Sequence, residues 1–135
     1  MIFKLHKRTD LALAALRHLD SAPRGRLTGQ ELADEIGTTI PFLPQVMSPL
    51  IRAGWVSSER GPGGGYTLTE DSARATIYDV IEATEGPTVT GRCVLRDAPC
   101  PGTEPCRVHF VADDARAVLI NGFQQIRAIA QGAQA

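Results

Sequence analysis

The sequence predicts a mainly α-helical fold: a winged helix-turn-helix with a two-stranded wing, then a cysteine loop and a long C-terminal dimerisation helix. Three observations predict it. Two short amphipathic segments are separated by a glycine-containing turn, as in a helix-turn-helix. A glycine-rich loop between two strand-like segments follows them directly. An apolar stripe with a spacing near 3.5 residues then runs towards the C-terminus, which favours helix-to-helix pairing.

The length of 135 residues suits one compact domain, or one domain with an appendage. We divide the chain into a winged helix-turn-helix DNA-binding domain at 1–86, a cysteine-bearing cluster loop at 87–105 and a dimerisation helix at 106–135. A helix of about thirty residues presents a longer stripe than one small domain can bury, so we expect a homodimer.

Capping residues mark the first three helices. Thr9 is predicted to be the N-cap of the first helix, with Asp10 near the positive end of its dipole. Thr28 opens a capping-box pattern, and this second helix is predicted to end at Gly37. A third helix follows Thr39 and would be the recognition helix.

In a helix-turn-helix, the N-terminal residues of the second helix face the base edges of the major groove. Gln45 is placed to pair with adenine, and Thr39 can bond a phosphate or a base. Pro44 and Pro49 are expected deeper in this helix, where each removes a backbone bond and bends the axis. The candidate DNA-contacting residues here are Thr28, Thr39, Pro41, Phe42 and Gln45.

Strand-like segments at 55–60 and 66–69 flank the glycine-rich loop and predict a wing. Glycine allows a close backbone approach and presents bare N–H groups to phosphate. Arg60 suits a narrow minor groove, where the negative potential is strongest. A flexible hairpin turn without a ligand is the alternative. The candidate contacts are Arg60, Gly61, Gly63, Gly64 and Gly65.

The formal net charge of −1 speaks against a strongly basic nucleic-acid binder, but it averages two unlike halves. Residues 1–66 carry +2 and residues 67–135 carry −3. Neither a membrane-spanning apolar run nor a secretory h-region is visible, so we expect a cytoplasmic protein with no membrane partner. Since the sequence shows no acid–base or nucleophile set, we expect no enzyme.

Three cysteines, Cys93, Cys100 and Cys106, lie within fourteen residues. The C-x2-C to C-x4-C pairs typical of zinc sites are absent, whereas iron–sulfur clusters tolerate wider loops. Three thiolates leave a fourth ligand position open. A redox thiol set and ordinary buried cysteines are the alternatives. The candidates for the fourth ligand are Asp10, His109, Glu104, Glu85 and His6.

Several segments together resemble the bacterial iron–sulfur winged-helix regulators that include NsrR, IscR and RirA. The resemblance covers roughly residues 1–125 and is closest to NsrR. It implies a homodimer that binds a palindromic operator in double-stranded DNA, with Gln45 reading bases and Arg60 in the minor groove. It also implies an iron–sulfur cluster on the three cysteines. The segments are Thr9-Asp-Leu-Ala-Leu13, Ala53–Tyr66, Ile77-Tyr-Asp-Val-Ile81, Glu85-Gly86 and the three cysteines.

Two versions of the cluster remain open within this resemblance. The NsrR-like version has Asp10, from the partner subunit, as the fourth ligand of a 4Fe–4S cluster, and we favour it. The IscR-like version uses the Cys106-x2-His109 spacing and a 2Fe–2S cluster. The implied function is a repressor that senses nitric oxide or redox stress. The alternatives are an iron or iron–sulfur status regulator, and a zinc or thiol–disulfide switch.

Overall fold

The structure, a computed structural model, describes residues 4–101 and 104–129. The predicted mainly α-helical fold with a two-stranded wing is confirmed. A short 3-10 helix at Glu70–Arg74 joins the wing to the fourth helix. The elements in chain order are α1 (Lys7–Asp20), α2 (Gly29–Ile36), α3 (Leu43–Arg52), β1 (Val56–Glu59), β2 (Gly65–Leu68), α4 (Ile77–Glu85) and α5 (His109–Gln124).

The core lies where α1 meets the other helices of the N-terminal part. Leu16 of α1, Leu32 of α2 and Leu50 of α3 are fully buried there. Each such side chain contributes about 1.5–3 kcal/mol of burial free energy. Helix α1 packs against α2, α3 and α4, so it fixes the recognition helix and the start of the cysteine loop in one frame.

The predicted start of α1 is wrong. The helix begins at Lys7, and His6 occupies the N-cap without a side-chain bond. Thr9 is fully buried. Its Oγ1 lies 2.7 Å from Thr84 Oγ1 and donates to Glu85 Oε1 at 2.6 Å. Long-range contact with α4 therefore decides the role of this threonine, and a local capping pattern could not reveal it.

The capping box at the start of α2 is as predicted, with Thr28 Oγ1 accepting from the Glu31 amide at 3.2 Å. Gly37 ends this helix in the left-handed region at φ 74°. Helix α4 begins with a second capping box, between Thr76 and Asp79. At the start of both helices, the side chains of the capping box therefore accept hydrogen bonds from backbone amides that would otherwise have no partner.

Pro44 lies differently from the prediction, whereas Pro49 lies inside the recognition helix as predicted. Helix α3 begins at Leu43, so Pro44 lies in its first turn and not deeper in the helix. Proline is tolerated in the first turn because the amides there have no intrahelical partner. Pro41 precedes the helix, and Pro49 is the proline inside it, where it is buried. The predicted distortion of the helix by Pro44 therefore has no basis.

The C-terminal helix is shorter than the predicted segment 106–135. Helix α5 ends at Gln124, and the chain then turns back onto the N-terminal part. The Ile77 amide donates to the Ile126 carbonyl at 2.8 Å, and the Ala128 amide donates to the Ala75 carbonyl at 2.9 Å. Ile129, which lies within the predicted helix 106–135, is not helical and is buried in the core. Residues 130–135 of the predicted segment lie outside the described residues.

Helix α5 itself has no buried residue. Val111 and Val118 are each 72% exposed, and Phe110 is 67% exposed. An apolar helix surface of this kind costs free energy when it faces water. No helix in the described part of the chain combines the length and the apolar character that a membrane span requires.

Replacing Ile129 tests the returning C-terminal segment. We expect Ile129→Ala to lower the free energy of unfolding by about 2–5 kcal/mol, because the substitution leaves a cavity in the core. Urea unfolding followed by circular dichroism measures this change. Val89→Ala, at a side chain that is 64% exposed, is the control and should change it by about 0.5 kcal/mol or less. Equal effects of the two substitutions would contradict the docking of this segment.

Candidate functional site

The recognition helix presents a polar face to solvent. Its buried side chains are Leu43, Val46, Met47, Pro49 and Leu50. Gln45 is exposed on the opposite face, together with Ser48 and Arg52. Sequence reasoning missed Ser48 and Arg52, although their spacing of three and seven residues from Gln45 places all three on one helical face.

The other residues predicted on this surface differ in their solvent exposure and in the hydrogen bonds that their side chains already make. Thr39 is exposed, and its hydroxyl accepts from the Phe42 amide at 3.3 Å. Pro41 is exposed, whereas Phe42 is half-buried against the core. The hydroxyl of Thr28 is engaged in its capping box. Of these four, Thr28, Thr39 and Pro41 are exposed and Phe42 is half-buried.

The wing is an antiparallel hairpin whose register runs from Val56 opposite Leu68 to Glu59 opposite Gly65. A Cβ on Gly64 would lie 2.4 Å from the Glu59 carbonyl oxygen, so a larger residue does not fit. Gly61 and Gly63 have φ values of 84° and 77°, which favour glycine. The hairpin itself therefore requires these glycines, and their contact with DNA stays a prediction.

A segment before α2 holds the wing from outside the hairpin. The Leu27 amide donates to the Tyr66 carbonyl at 3.1 Å, and the Tyr66 amide donates to the Leu27 carbonyl at 2.8 Å. The neighbouring Arg26 guanidinium donates to the Gly63 carbonyl at the wing tip. Arg60 is exposed beside the same tip. Arg26 escaped sequence reasoning because it lies 37 residues from Gly63.

The three cysteines converge. All three Sγ atoms lie within 4.8 Å of one another, and those of Cys93 and Cys106 are 3.6 Å apart. Cys93 is buried, while Cys100 and Cys106 are half-buried. The cysteine loop is bent back on itself, since the Cys93 amide donates to the Ala98 carbonyl at 2.8 Å. A set of soft thiolates this compact can hold a metal ion or a cluster.

His109 is the first residue of α5 and adjoins the thiols. Its Nδ1 lies 3.6 Å from Cys100 Sγ, and its Nε2 lies 3.1 Å from an Asp113 carboxylate oxygen. A carboxylate on one ring nitrogen orients the other nitrogen, as it does for many metal-bound histidines. The imidazole is therefore held with Nδ1 towards Cys100.

The other candidates for the fourth ligand lie elsewhere within the single chain. Asp10 is exposed on α1, with its carboxylate 3.7 Å from Lys7 Nζ. Glu85 accepts from the His6 amide at 2.8 Å, in addition to its bond from Thr9. Among the described residues, which include Glu104, no carboxylate joins the three thiols as a fourth ligand group.

The thiols differ in acidity. The backbone amide of Leu95, with further help from the thiols of Cys106 and Cys100, lowers the pKa of Cys93. At Cys100 the backbone amide of Cys106 acts to lower the pKa, but burial and the two neighbouring thiols together raise it. Cys93 therefore deprotonates before Cys100. A thiolate is the form that ligates metal, so Cys93 becomes available as a ligand before Cys100.

Comparison with known proteins gives a consistent family. The family model "Rrf2: Iron-dependent Transcriptional regulator" matches residues 5–128. The HTH-type transcriptional regulator IscR of Xenorhabdus nematophila is 35% identical over 84 residues, which are 62% of this chain and 51% of that protein. The putative HTH-type transcriptional regulator BadM of Rhodopseudomonas palustris is 33% identical over 126 residues, 93% of this chain and 79% of that protein. The match spans about half the length of the IscR relatives.

Solved structures share the fold. CymR, described as the global cysteine regulator of B. subtilis, superposes with a TM-score of 0.73 over 94% of both chains at 23% identity. The IscR of T. potens superposes with a TM-score of 0.67 over 93% of this chain and 83% of its own, at 18% identity. The family match over almost the whole chain, together with the winged helix and the convergent thiols, shows that this chain belongs to the Rrf2 family of transcriptional regulators.

Proposed function

We propose that this chain is a transcription repressor that binds a palindromic DNA operator as a homodimer, with an iron–sulfur cluster switching the binding. The convergence of Cys93, Cys100 and Cys106 within 4.8 Å carries the proposal. When bound, a cluster supplies thiolate-ligated irons whose redox state and integrity respond to small oxidants. The three thiolates would hold it, and the half-buried Cys100 and Cys106 leave it open to small diffusible molecules.

The ligand atoms fall into two pairs, which supports a 2Fe–2S cluster with His109 as fourth ligand. Cys93 and Cys106 are 3.6 Å apart, and Cys100 is 3.6 Å from His109 Nδ1. Two thiolates on one tetrahedral metal atom, with bonds near 2.3 Å, lie about 3.8 Å apart. Each pair thus has the spacing expected of two ligands on one iron.

The 4Fe–4S version with Asp10 of the partner subunit is the alternative. In a four-iron cluster each thiolate binds its own iron, whereas in a two-iron cluster each iron carries two protein ligands. The Asp10 carboxylate lies 3.7 Å from Lys7 Nζ but is exposed on α1, where a second copy of the chain would have access to it. Iron counting and ligand substitution distinguish the two versions.

DNA binding is supported by two surfaces of the N-terminal part of the chain, the exposed face of α3 and the tip of the wing. Gln45 would read base edges in the major groove, with Ser48 and Arg52 continuing the same exposed face. Arg60 would enter the adjacent minor groove. Backbone or van der Waals contacts would come from the remaining candidates, to the extent that each is exposed. These are Thr28, Thr39, Pro41, Phe42 and the wing glycines Gly61, Gly63, Gly64 and Gly65.

Homodimerisation is supported by the uncovered apolar surface of α5, which a second copy of the helix would bury. Because α5 begins three residues after Cys106, a rearrangement of the thiol loop would shift this helix. The two recognition helices must match half-sites about 34–36 Å apart. A shift at the dimer helix would therefore weaken operator binding.

Nitric oxide or redox stress is the signal that we propose, since Cys100 and Cys106 are partly exposed to small molecules and the pKa of Cys93 is lowered. Iron or cluster status, as for an IscR-like regulator, is the alternative signal. A zinc or thiol–disulfide switch is a second candidate function. The 3.6 Å between Cys93 and Cys106 favours it, because this spacing also fits a single tetrahedral zinc ion.

The first test concerns the cluster. Protein purified without oxygen should contain about two irons and two sulfides per chain and absorb visible light. His109→Ala should lower the iron content and alter the spectrum, because it removes the fourth ligand. Asp10→Ala should change neither. His18→Ala is the matched control, since its imidazole pairs with Glu35, 3.4 Å away, and not with a thiol.

Different results would favour different alternatives. Four irons per chain, lost on Asp10→Ala, would reject the histidine-ligated version in favour of the partner-aspartate version. One zinc per chain, or a disulfide found by mass spectrometry after mild oxidation, would favour the zinc or thiol switch. A colourless, iron-free protein that binds its operator tightly would contradict the cluster altogether.

The second test concerns the wing. Arg60→Ala should weaken operator binding by about tenfold and lower the slope of log affinity against log salt by about one, because one phosphate-neutralising charge is lost. Fluorescence anisotropy on a duplex recovered by in vitro selection measures both quantities. The visible spectrum of the anaerobic protein should not change. Unaltered affinity would contradict the assignment of Arg60 to the DNA interface.

A further inference from the structure

We propose that Arg26 is a positioning residue, which fixes the tip of the wing and thereby places Arg60 for DNA. The inference rests on the proposed contact between the wing and DNA. It concerns a residue that lies outside both the hairpin and the recognition helix. Its side chain is half-buried against the wing.

The contact between Arg26 and the wing tip is close and directional. The guanidinium donates to the Gly63 carbonyl. A Cβ added to Gly63 would lie 3.7 Å from Nη1 and 3.9 Å from Nη2, so both terminal nitrogens adjoin this residue. A hydrogen bond from a charged donor is stronger than one between neutral groups. The side chain therefore restrains the position of the tip.

The tip needs such a restraint. Glycines make up four of its five residues from Gly61 to Gly65, and Gly61 and Gly63 meet no neighbouring atom that would exclude a Cβ. Within the tip, one bond from the Gly64 amide to the Gly61 carbonyl closes the turn at 2.9 Å. Since glycine loses more conformational freedom on ordering than any other residue, a loop of this composition is costly to hold in one shape.

The backbone of Arg26 is itself anchored. The next residue, Leu27, pairs with Tyr66 of β2 through two backbone hydrogen bonds. Thr28 then caps α2. The guanidinium thus connects the wing tip to the start of the helix-turn-helix, and sets where Arg60 lies relative to α3.

The positive charge of Arg26 suggests a competing role, a direct contact with DNA. Its neighbour Arg24 forms an ion pair with Glu31 at 2.6 Å. Among the described residues, no carboxylate pairs with Arg26. An unpaired guanidinium near the wing could bind a DNA phosphate directly. A direct contact would lower the salt slope of binding, whereas a positioning role acts through Arg60, and the two are therefore separable.

The experiment compares Arg26→Ala, Arg60→Ala and the double variant in the full chain, with Arg24→Ala as the matched control. Hydrogen exchange of wing amides is measured in the free protein, and operator affinity is measured against salt. We expect Arg26→Ala to speed exchange at Gly64 and to weaken binding about tenfold, with the salt slope unchanged. In the Arg60→Ala background the effect on affinity should disappear, because the two residues act through one contact. Arg24→Ala should leave wing exchange unchanged.

Each other outcome overturns the proposal. A salt slope lowered by about one, with unchanged exchange at Gly64, would identify Arg26 as a phosphate contact. Additive effects of the two substitutions on affinity would show that Arg26 does not act through Arg60. Unchanged exchange with unchanged affinity would remove any role at the wing. If no operator is recovered, the proposed function fails, while the exchange measurement still decides whether Arg26 holds the tip.

Discussion

The hydrogen-bond cluster of the buried Thr9 and Thr84 with the half-buried Glu85 is the constraint on which the relative placement of the helix-turn-helix and the cysteine loop depends. Thr9 and Thr84 are almost fully buried, and a carboxylate among them is tolerated because it is hydrogen-bonded. Glu85 accepts from the Thr9 hydroxyl and from the His6 amide. It is also the last residue of α4, after which the chain leaves towards the cysteines. The cluster therefore fixes where the cysteine loop departs from the helical core.

The cysteine loop and α5 form one segment, and the C-terminal end of this segment is anchored independently of that cluster. After α5, Ala128 and Ile129 enter the core beside Ala75, and the backbone pairs with the start of α4. The cysteine loop and α5 thus form a segment held at both ends by the N-terminal part. A displacement of α5 cannot be absorbed by a free chain end at either anchor. In the proposed function, this double attachment couples the thiols to the position of the recognition helices.

The sequence predicted the features that depend on residues close together along the chain. Helical periodicity, the capping box at Thr28 and the glycine-rich wing depend on residues near one another, and they lie as expected. Thr9 could not be assigned by the same reasoning, since a partner 75 residues away outweighs its capping tendency. The return of Ile129 and the contact of Arg26 with the wing also depend on packing between distant segments. The convergence of the thiols was predicted from their clustering, whereas the orientation of His109 by Asp113 requires the helix to start where it does.

The low charge of the chain explains why the placement of individual side chains matters in the proposed function. The N-terminal half carries only +2, so few counterions would be released on DNA and non-specific affinity would be modest. In the proposed function, operator binding therefore depends on the placement of a few side chains, among them Gln45 and Arg60. Small errors in the wing tip, or in the spacing of two recognition helices, then cost a large share of the binding free energy. In the proposed function, a weakly basic domain is for this reason suited to control by a loop far from the DNA, because a small displacement of its few contacts would release it.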